Sequence, residues 1–388
     1  TQLRAAIRRL MFLFAIANLG GLLAMKQPSI SRRLRAFSRI RPQTRLGVAM
    51  PRRRVHAAAA PVESLDLDTV PKVTYNDGSE QPIIGFGTYK VGFIPASASS
   101  AEAAGGSPEN AESLGASARE IVRQAADIGY RFFDCAEFYG NEKEVGLGLT
   151  DSGVPREKLF LESKIWTTTI YQGEEAIRKQ VDQTLKDLNT DYLDLYCIHW
   201  PVPRNKHIEA YLVLEALQKE GKIRSLGVSN YAIEDYKALM EKATVKPCVN
   251  QIEVNPFLYR KKTIHFFEDE GVRIQSYRAL RDGKAFDHPI IESIATRYGK
   301  TPAQILGRWC VQKGVTYIPK SVRPDRMREN AQVFDFELSD FEMNILDERT
   351  SGDSLKTFEA LYRKCVVRDT PLKDVQNGEW LTSPVTVE

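Results

Sequence analysis

Short runs rich in β-branched and aromatic residues alternate with amphipathic stretches through most of the chain, and this alternation limits the possible folds more than any other feature. Strands that alternate with helices form a parallel sheet, because each helix returns the chain to the start of the next strand. Eight such units in about 250 residues favour an α/β fold of the (β/α)8 TIM-barrel type. The eight strand candidates are residues 85–89, 130–135, 159–164, 192–200, 223–229, 248–254, 272–277 and 315–320.

An open, doubly wound sheet is the alternative that this alternation leaves. That fold usually carries a GxGxxG loop between its first strand and helix. The run GFGTYK at 85–90 has two glycines but neither the third glycine nor a helix start behind it, which favours the barrel. Upstream, Asn76-Asp77-Gly78 is a turn signal between two short extended runs, and it predicts an N-terminal β-hairpin cap.

The strand candidates end in polar residues rather than in apolar ones. In a barrel of this kind the functional groups gather at the carboxyl ends of the strands. The pattern therefore predicts a polar site at one end of the barrel. The residues at or just after strand ends are Asp134, Lys164, His199, Ser229, Asn230, Gln251, Tyr277, Lys320 and Ser321.

Six motifs, in order, resemble those of the aldo-keto reductases. They are GYRFFDCAEFYGNEKEVG, ESKIW, CIHWP, GVSN, the Gln in VNQIE, and IPKSVRPDRMREN, and the match runs from about residue 72 to about 350. The resemblance implies a TIM barrel that reduces an aldehyde or ketone to an alcohol with NADPH. It also implies a catalytic set of Asp134, Tyr139, Lys164 and His199.

The chemistry of these four residue types fits carbonyl reduction. A free tyrosine has a pKa near ~10, so its phenol holds a proton at neutral pH but gives it up reluctantly. A neighbouring ammonium such as Lys164 favours the phenolate, and Asp134 can keep that lysine charged. His199 can share a hydrogen bond with the carbonyl oxygen. Tyr139 and Lys143 also have the YxxxK spacing of short-chain dehydrogenases, but the glycine-rich loop of that family is missing.

The resemblance further implies a cofactor site. A tyrosine that stacks on nicotinamide, polar groups for its carboxamide, and a Lys and Arg for a ribose 2′-phosphate favour NADPH over NADH. One departure is Arg278-Ala279, where the family usually has Ser-Pro in the loop around the pyrophosphate. The implied cofactor residues are Thr88, Ser229, Asn230, Gln251, Tyr277, Leu280, Lys320, Ser321, Val322, Arg326, Glu329 and Asn330.

The substrate pocket should be apolar and aromatic. By resemblance Tyr89, Trp166 and Trp200 line it, together with His199. The low-complexity stretch 93–117 is interpreted as a disordered insertion beside the mouth. By resemblance the tail 351–388 closes another side of the pocket, although its residues have no clear alignment with the family. We expect His207 to be a solvated surface residue. We expect Glu137, Glu142 and Glu144 to be surface or helix-start residues.

Residues 1–65 form a distinct basic arm before the barrel domain, which is assigned to 66–388. Residues 1–62 hold 13 of the 54 Lys and Arg and none of the 50 Asp and Glu. The apolar run 10–24 is too short to span a bilayer comfortably, and the Arg-rich stretch after it resembles a transit peptide. We interpret the arm as a disordered organelle-targeting leader, with a plastid preferred. A mitochondrial address, or a mis-assigned start on a cytoplasmic protein, stays open.

The remaining features narrow the function class. The basic charge lies in the arm, so the folded part gives no reason to expect nucleic acid or a stable membrane insertion. The five widely spaced cysteines are typical of a reducing compartment, and no histidine pair has metal-ligand spacing. We expect a monomer that acts on a small carbonyl compound. The alternatives are a non-catalytic NADPH-sensing subunit and, more distantly, a metal-dependent barrel hydrolase.

Overall fold

The computed structural model describes residues 69–92, 117–371 and 388. All eight predicted strands are present, and each pairs in parallel with the next one along the chain. The structure thus confirms the α/β barrel. The strands of the barrel are β3 (Phe86–Gly87), β4 (Phe132–Asp134), β5 (Phe160–Ile165), β6 (Leu193–Ile198), β7 (Ile223–Ser229), β8 (Val249–Glu253), β9 (Arg273–Tyr277) and β10 (Thr316–Tyr317).

The first and last strands close the barrel through backbone hydrogen bonds. The Tyr317 amide donates to the Ile83 carbonyl at 2.8 Å, and the Gly85 amide donates to the Tyr317 carbonyl at 2.9 Å. Gly85 lies where a Cβ atom would come within 2.2 Å of the Phe132 ring, so this closure tolerates only glycine there. A closed barrel leaves no unpaired sheet edge.

The predicted hairpin covers the amino-terminal end of the barrel. Strands β1 (Lys72–Thr74) and β2 (Glu80–Pro82) pair antiparallel. Asn76 in their turn donates to the Pro247 carbonyl, just before β8, at 3.0 Å. The Tyr75 ring meets the Phe160 ring edge-on at the start of β5, with 6.3 Å between centroids. These contacts make this the closed end of the barrel.

Helices form the outer layer, and β5 and β6 are buried at every position because they pack on helices outside and on side chains inside. The sequence determines where the first helix begins, because the Ser117 side chain caps it by accepting a hydrogen bond from the Glu120 amide at 3.3 Å. The helices are α1 (Ala118–Ile128), α2 (Glu142–Asp151), α3 (Thr167–Ile170), α4 (Glu174–Asp187), α5 (Lys206–Lys219), α6 (Ile233–Met240), α7 (Lys261–Asp269), α8 (Pro289–Tyr298), α9 (Pro302–Gln312), α10 (Pro324–Ala331), α11 (Asp340–Asp347) and α12 (Gly352–Val366).

The last helix, α12, packs against residues at the open end of the barrel. Ser351 caps it by accepting from the Ser354 amide at 3.1 Å. Phe358 and Tyr362 are buried one turn apart and form a separate apolar cluster with Trp166 and Trp200. The helix therefore covers one side of the mouth.

Several predictions concern parts of the chain that are not described. The targeting arm 1–65, nearly all of the insertion 93–117 and most of the tail after residue 371 lie outside the described residues. Among the helices that are described, none is both long enough and apolar enough to cross a membrane. The five cysteines are free thiols, four of them buried.

Candidate active site

A buried lysine forms the centre of the polar residues at the open end. Lys164 in β5 pairs with Asp134, the last residue of β4, and donates to the Cys135 carbonyl at 2.8 Å. Lys164 is fully buried and Asp134 nearly so. A buried ion pair of this kind survives only when hydrogen bonds satisfy the remaining polar atoms. Asp134 therefore holds Lys164 charged and in a fixed position.

Tyr139 ends a short 3₁₀ turn, Glu137–Tyr139, that follows β4. The Lys164 ammonium lies 5.3 Å from its ring centroid, and the His199 ring lies 5.8 Å away at a steep angle. Burial, and then the negative charge of Asp134, raise the pKa of Tyr139, while Lys164 acts to lower it. Lys164 thus acts in the expected direction, but burial outweighs it, and the pKa of Tyr139 is raised overall. The phenol keeps its proton at neutral pH.

His199 follows directly after β6 and is held as a neutral ring. Burial first, and then the positive charges of Lys164 and Arg368, lower its pKa well below the ordinary value. Its Nδ1 atom is buried and has no hydrogen-bond partner among the described residues. The Asn230 side chain donates to the His199 carbonyl at 3.0 Å and fixes the backbone. A neutral imidazole has one N–H to offer to a carbonyl oxygen.

A second carboxyl group, which was not among the residues predicted from the sequence, lies beneath the site. Glu162 in β5 is fully buried, and its Oε1 atom lies 3.8 Å from the Lys164 Nζ atom. Burial raises its pKa to about 8, although Lys164 opposes this. The Gln251 amide nitrogen lies 2.9 Å from Glu162 and 3.0 Å from Asp134. Gln251 thus supports the ion pair beneath the site, beyond its expected place beside the carboxamide.

Three of the expected nicotinamide residues lie together beside His199. The Tyr277 hydroxyl donates to the Asn230 Oδ1 atom at 2.7 Å, and the Asn230 Nδ2 atom lies 3.0 Å from the Ser229 Oγ atom. Asn230 has a φ of 61°, a left-handed conformation that asparagine tolerates better than most residues. Thr88 directly follows β3, and its hydroxyl donates to the carbonyl of Asp134 in the neighbouring strand β4 at 2.8 Å.

The expected adenosine residues lie at the start of α10. Lys320 and Arg326 are exposed and form no ion pair within the described part of the chain, so both fit an anionic group. Burial, then the like charge of Lys90, lower the pKa of Lys320. Of the other four residues, Val322 is exposed, Ser321 accepts from the Arg323 amide, Asn330 is buried, and Glu329 accepts from Thr301.

The Arg278 loop departs from the expected pattern in a defined way. Arg278 has a φ of 51°, and its guanidinium contacts Glu253 at 3.1 Å and Asp282 at 3.0 Å. The side chain is therefore already paired with two carboxylates of the protein. Leu280 packs, partly buried, against the barrel core.

The sequence profile of the aldo/keto reductase family matches residues 104–350. The chain belongs to the aldo/keto reductase family. A glyoxal reductase of Bacillus subtilis is 38% identical over 275 residues, which are 71% of this chain and 91% of that protein. Methylglyoxal reductase DkgA of Escherichia coli is 38% identical over 237 residues, 60% of this chain and 85% of that one. The crystal structure of a Gox0644 mutant in complex with NADPH superposes with a TM-score of 0.64 at 32% identity, covering 74% of this chain and 95% of that one.

Aromatic side chains line the mouth of this aldo/keto reductase. The Tyr89 ring lies 5.1 Å from the Tyr139 ring and is partly exposed. Trp166 stacks on Phe138 with 4.0 Å between centroids, and Trp200 lies 6.1 Å from Tyr362 of α12. The three expected substrate residues therefore do border the mouth.

Phe138 is not among the residues predicted from the sequence, whereas α12 belongs to the tail 351–388 that the resemblance places at one side of the pocket. The Trp166 indole donates to Asp369, which follows α12, at 3.2 Å. The apolar spacing of Leu355, Phe358 and Tyr362 has the helical period, and it was the signal for this helix.

In this aldo/keto reductase the expectation of a solvated His207 is wrong, whereas Glu142 is a helix-start residue as expected, although a buried one. His207 is buried, its Nδ1 atom lies 3.0 Å from the Val202 amide, and burial lowers its pKa to about 4. Glu142 begins α2 as expected but is buried, and its carboxylate accepts from Ser163 at 2.5 Å and from Thr184 at 3.0 Å. Both residues stabilise packing between helices and strands. The Glu137 side chain is also fixed in position, because its carboxylate accepts a hydrogen bond from the Trp166 amide at 2.6 Å.

Proposed function

We propose that this aldo/keto reductase uses NADPH to reduce small aldehydes or ketones, and that Tyr139 delivers the proton. The observation that carries the proposal is the position of a protonated Tyr139 between a charged Lys164 and a neutral His199. The relatives named glyoxal reductase and methylglyoxal reductase, and the NADPH complex of a related structure, support the same reaction class.

The residues of the chain divide the acid–base work. His199 donates its N–H to the carbonyl oxygen and orients it. Bound NADPH supplies the hydride to the carbonyl carbon. Tyr139 gives its phenolic proton to the oxygen, which has become a stronger base than a phenolate. Lys164 stabilises the phenolate that remains, and Asp134 keeps Lys164 charged while this happens.

The cofactor preference rests on charge. Lys320 and Arg326 are exposed cations at the start of α10, and a ribose 2′-phosphate is an anion that accepts charge-assisted hydrogen bonds from both. The amino end of a helix adds favourable electrostatics for the same group. NADH lacks this phosphate, so we propose that it binds more weakly.

The test is a screen of small aldehydes, including glyoxal and methylglyoxal, against purified protein with NADPH. We expect consumption of NADPH and formation of the alcohol in equal amounts. A protein that binds NADPH tightly but turns over none of the panel would contradict the proposal and favour the sensor alternative. Repeating the screen with NADH tests the cofactor preference separately.

A further inference from the structure

Arg260 is a buried cation without an acceptor. It lies between β8 and α7, and only 3% of its surface is exposed. Its Nε atom is buried without a partner, and its guanidinium makes no hydrogen bond or ion pair with any described residue. Guanidinium carries five N–H donors, and leaving them unpaired away from water is strongly unfavourable. An arginine in this state needs an anion from outside the described chain.

The neighbouring polar groups are already in use. Glu253 accepts from Arg278 at 3.1 Å and from Asn255 at 3.3 Å. The Tyr277 and Tyr362 hydroxyls donate to Asn230 and Asp235, respectively. Burial lowers the pKa of Arg260 to about 10, so the side chain is still charged at neutral pH. The charge of Glu253 acts on Arg260, but the hydrogen bonds of this carboxylate go to Arg278 and Asn255 and leave the donors of Arg260 without an acceptor.

The guanidinium packs on an aromatic ring of α12. It sits 4.1 Å from the centroid of the Phe358 ring, a cation–π contact that leaves its N–H donors unsatisfied. Phe358 belongs to the same apolar cluster as Trp166 and Trp200. Arg260 also follows the end of β8, whose last residue pairs in register with Tyr277. The charge of Arg260 therefore lies next to the aromatic cluster that borders the mouth.

We propose that Arg260 binds a carboxylate group of the substrate, so that the reductase prefers carbonyl compounds that carry a carboxylate. This inference rests on the proposed function. A guanidinium binds a carboxylate through two parallel hydrogen bonds, and the surrounding rings suit the apolar part of such a molecule. A cofactor phosphate offers the same oxyanion chemistry. The substrate is favoured because Arg260 packs on the aromatic wall, whereas Lys320 and Arg326 lie at the start of α10.

The test compares two aldehydes that differ in one charge, 4-carboxybenzaldehyde and methyl 4-formylbenzoate. In the wild type we expect the higher kcat/KM with the carboxylate. Arg260→Gln should lower the ratio of the two kcat/KM values by about tenfold or more, since a charge-assisted hydrogen bond pair is lost. The control is Arg363→Gln on α12, whose guanidinium pairs with Glu359 and whose loss should leave the ratio unchanged. An unchanged ratio in Arg260→Gln overturns the inference.

The same variant separates the two sources of the anion. If the Kd for NADPH rises in Arg260→Gln while the substrate ratio stays constant, the group bound is a cofactor phosphate and the inference is wrong. Binding of 4-(hydroxymethyl)benzoate against its neutral amide, followed by tryptophan fluorescence, needs no turnover. Tighter binding of the benzoate that disappears in Arg260→Gln supports the carboxylate site even if neither aldehyde is reduced, an outcome that would defeat only the proposed function.

A stability measurement distinguishes ligand binding by Arg260 from a purely structural role. Arg260→Met keeps the apolar stem but removes the unpaired charge. Because an unpaired buried charge is unfavourable for folding, we expect an equal or higher Tm than in the wild type. A lower Tm together with an unchanged substrate ratio would show that Arg260 serves packing alone.

Discussion

The two ends of the barrel both contain polar networks, but they differ in how completely their charged groups are paired. At the closed end, the Asp77 carboxylate accepts from the Ser79 and Ser225 hydroxyls at 2.6 and 2.7 Å and from the Ser79 amide at 2.9 Å. At the open end, Lys164 lies between two carboxyl groups, and the His199 Nδ1 and Arg260 Nε atoms have no partner in the described chain.

This difference in pairing indicates that the closed end stabilises the fold and that the open end binds ligands. A network whose donors and acceptors are matched contributes to folding, and it offers a ligand nothing to bind. Buried atoms without partners cost free energy in the unliganded protein and regain it when a ligand arrives. Substitutions at the open end should therefore change turnover most, and substitutions at the closed end should change stability.

The largest effect is expected from Lys164→Met at the open end. The substitution leaves the buried Asp134 without its counter-charge, so the free energy of unfolding should fall by about 3–5 kcal/mol. The kcat for an aldehyde should fall about a thousandfold, because the phenolate of Tyr139 loses its stabilising charge. Denaturant unfolding and NADPH oxidation measure the two effects.

Lys143→Met is the matched control for that variant. Lys143 is exposed on α2 and has the YxxxK spacing to Tyr139. We expect wild-type stability and turnover. A loss of turnover as large as in Lys164→Met would reverse the assignment of the catalytic lysine.

Arg326→Gln should have an intermediate effect that is confined to the cofactor. If the guanidinium binds the 2′-phosphate, the Kd for NADPH rises about tenfold and that for NADH hardly changes. Fluorescence titration measures both constants. Arg328→Gln on the same helix, also exposed, is the control. Equal weakening of the two cofactors would remove the argument for phosphate recognition.

Asp77→Ala at the closed end should have the smallest effect, and on stability alone. Burial would raise the pKa of Asp77, but hydrogen bonds from Ser79 and Ser225 outweigh it and hold the pKa below its ordinary value. The carboxylate therefore stabilises the fold above the unfolded pKa, near pH ~4, and this contribution is lost as the pH falls through the lower folded value.

The variant should therefore lose about 1–2 kcal/mol at pH 7, and the gap to the wild type should narrow below about pH 4. Unfolding curves at several pH values measure this. The kcat/KM should match that of the wild type. A strong loss of turnover without a loss of stability would mean that the closed end takes part in the reaction.

The sequence predicted the barrel for a physical reason, and the structure brings the four residues of the expected catalytic set together at its open end. Buried parallel strands must be continuous apolar runs, and a polar residue that ends such a run is easy to see. Strand β7, for example, has the predicted bounds Ile223–Ser229. Asp134, Lys164 and His199 were found because they interrupt or follow such runs.

The features of the site that were not predicted depend mostly on contacts between segments that are distant in the sequence. Glu162 lies two residues before Lys164 and therefore on the same face of β5, a signal that the sequence contained. His207 and Arg260 gave no such signal, because their burial depends on what packs over them. The resemblance implied that the tail 351–388 closes one side of the pocket, but only the fold shows that α12 does so and that Tyr362 packs near Trp200.

The most direct measurement is the turnover of Tyr139→Phe at saturating NADPH. The variant keeps the ring that packs between Lys164 and His199 and removes only the hydroxyl. We expect kcat for methylglyoxal to fall by about 10²–10⁴-fold, with the Kd for NADPH within about twofold of the wild type. A kcat close to that of the wild type would contradict the account of Tyr139 as the proton donor.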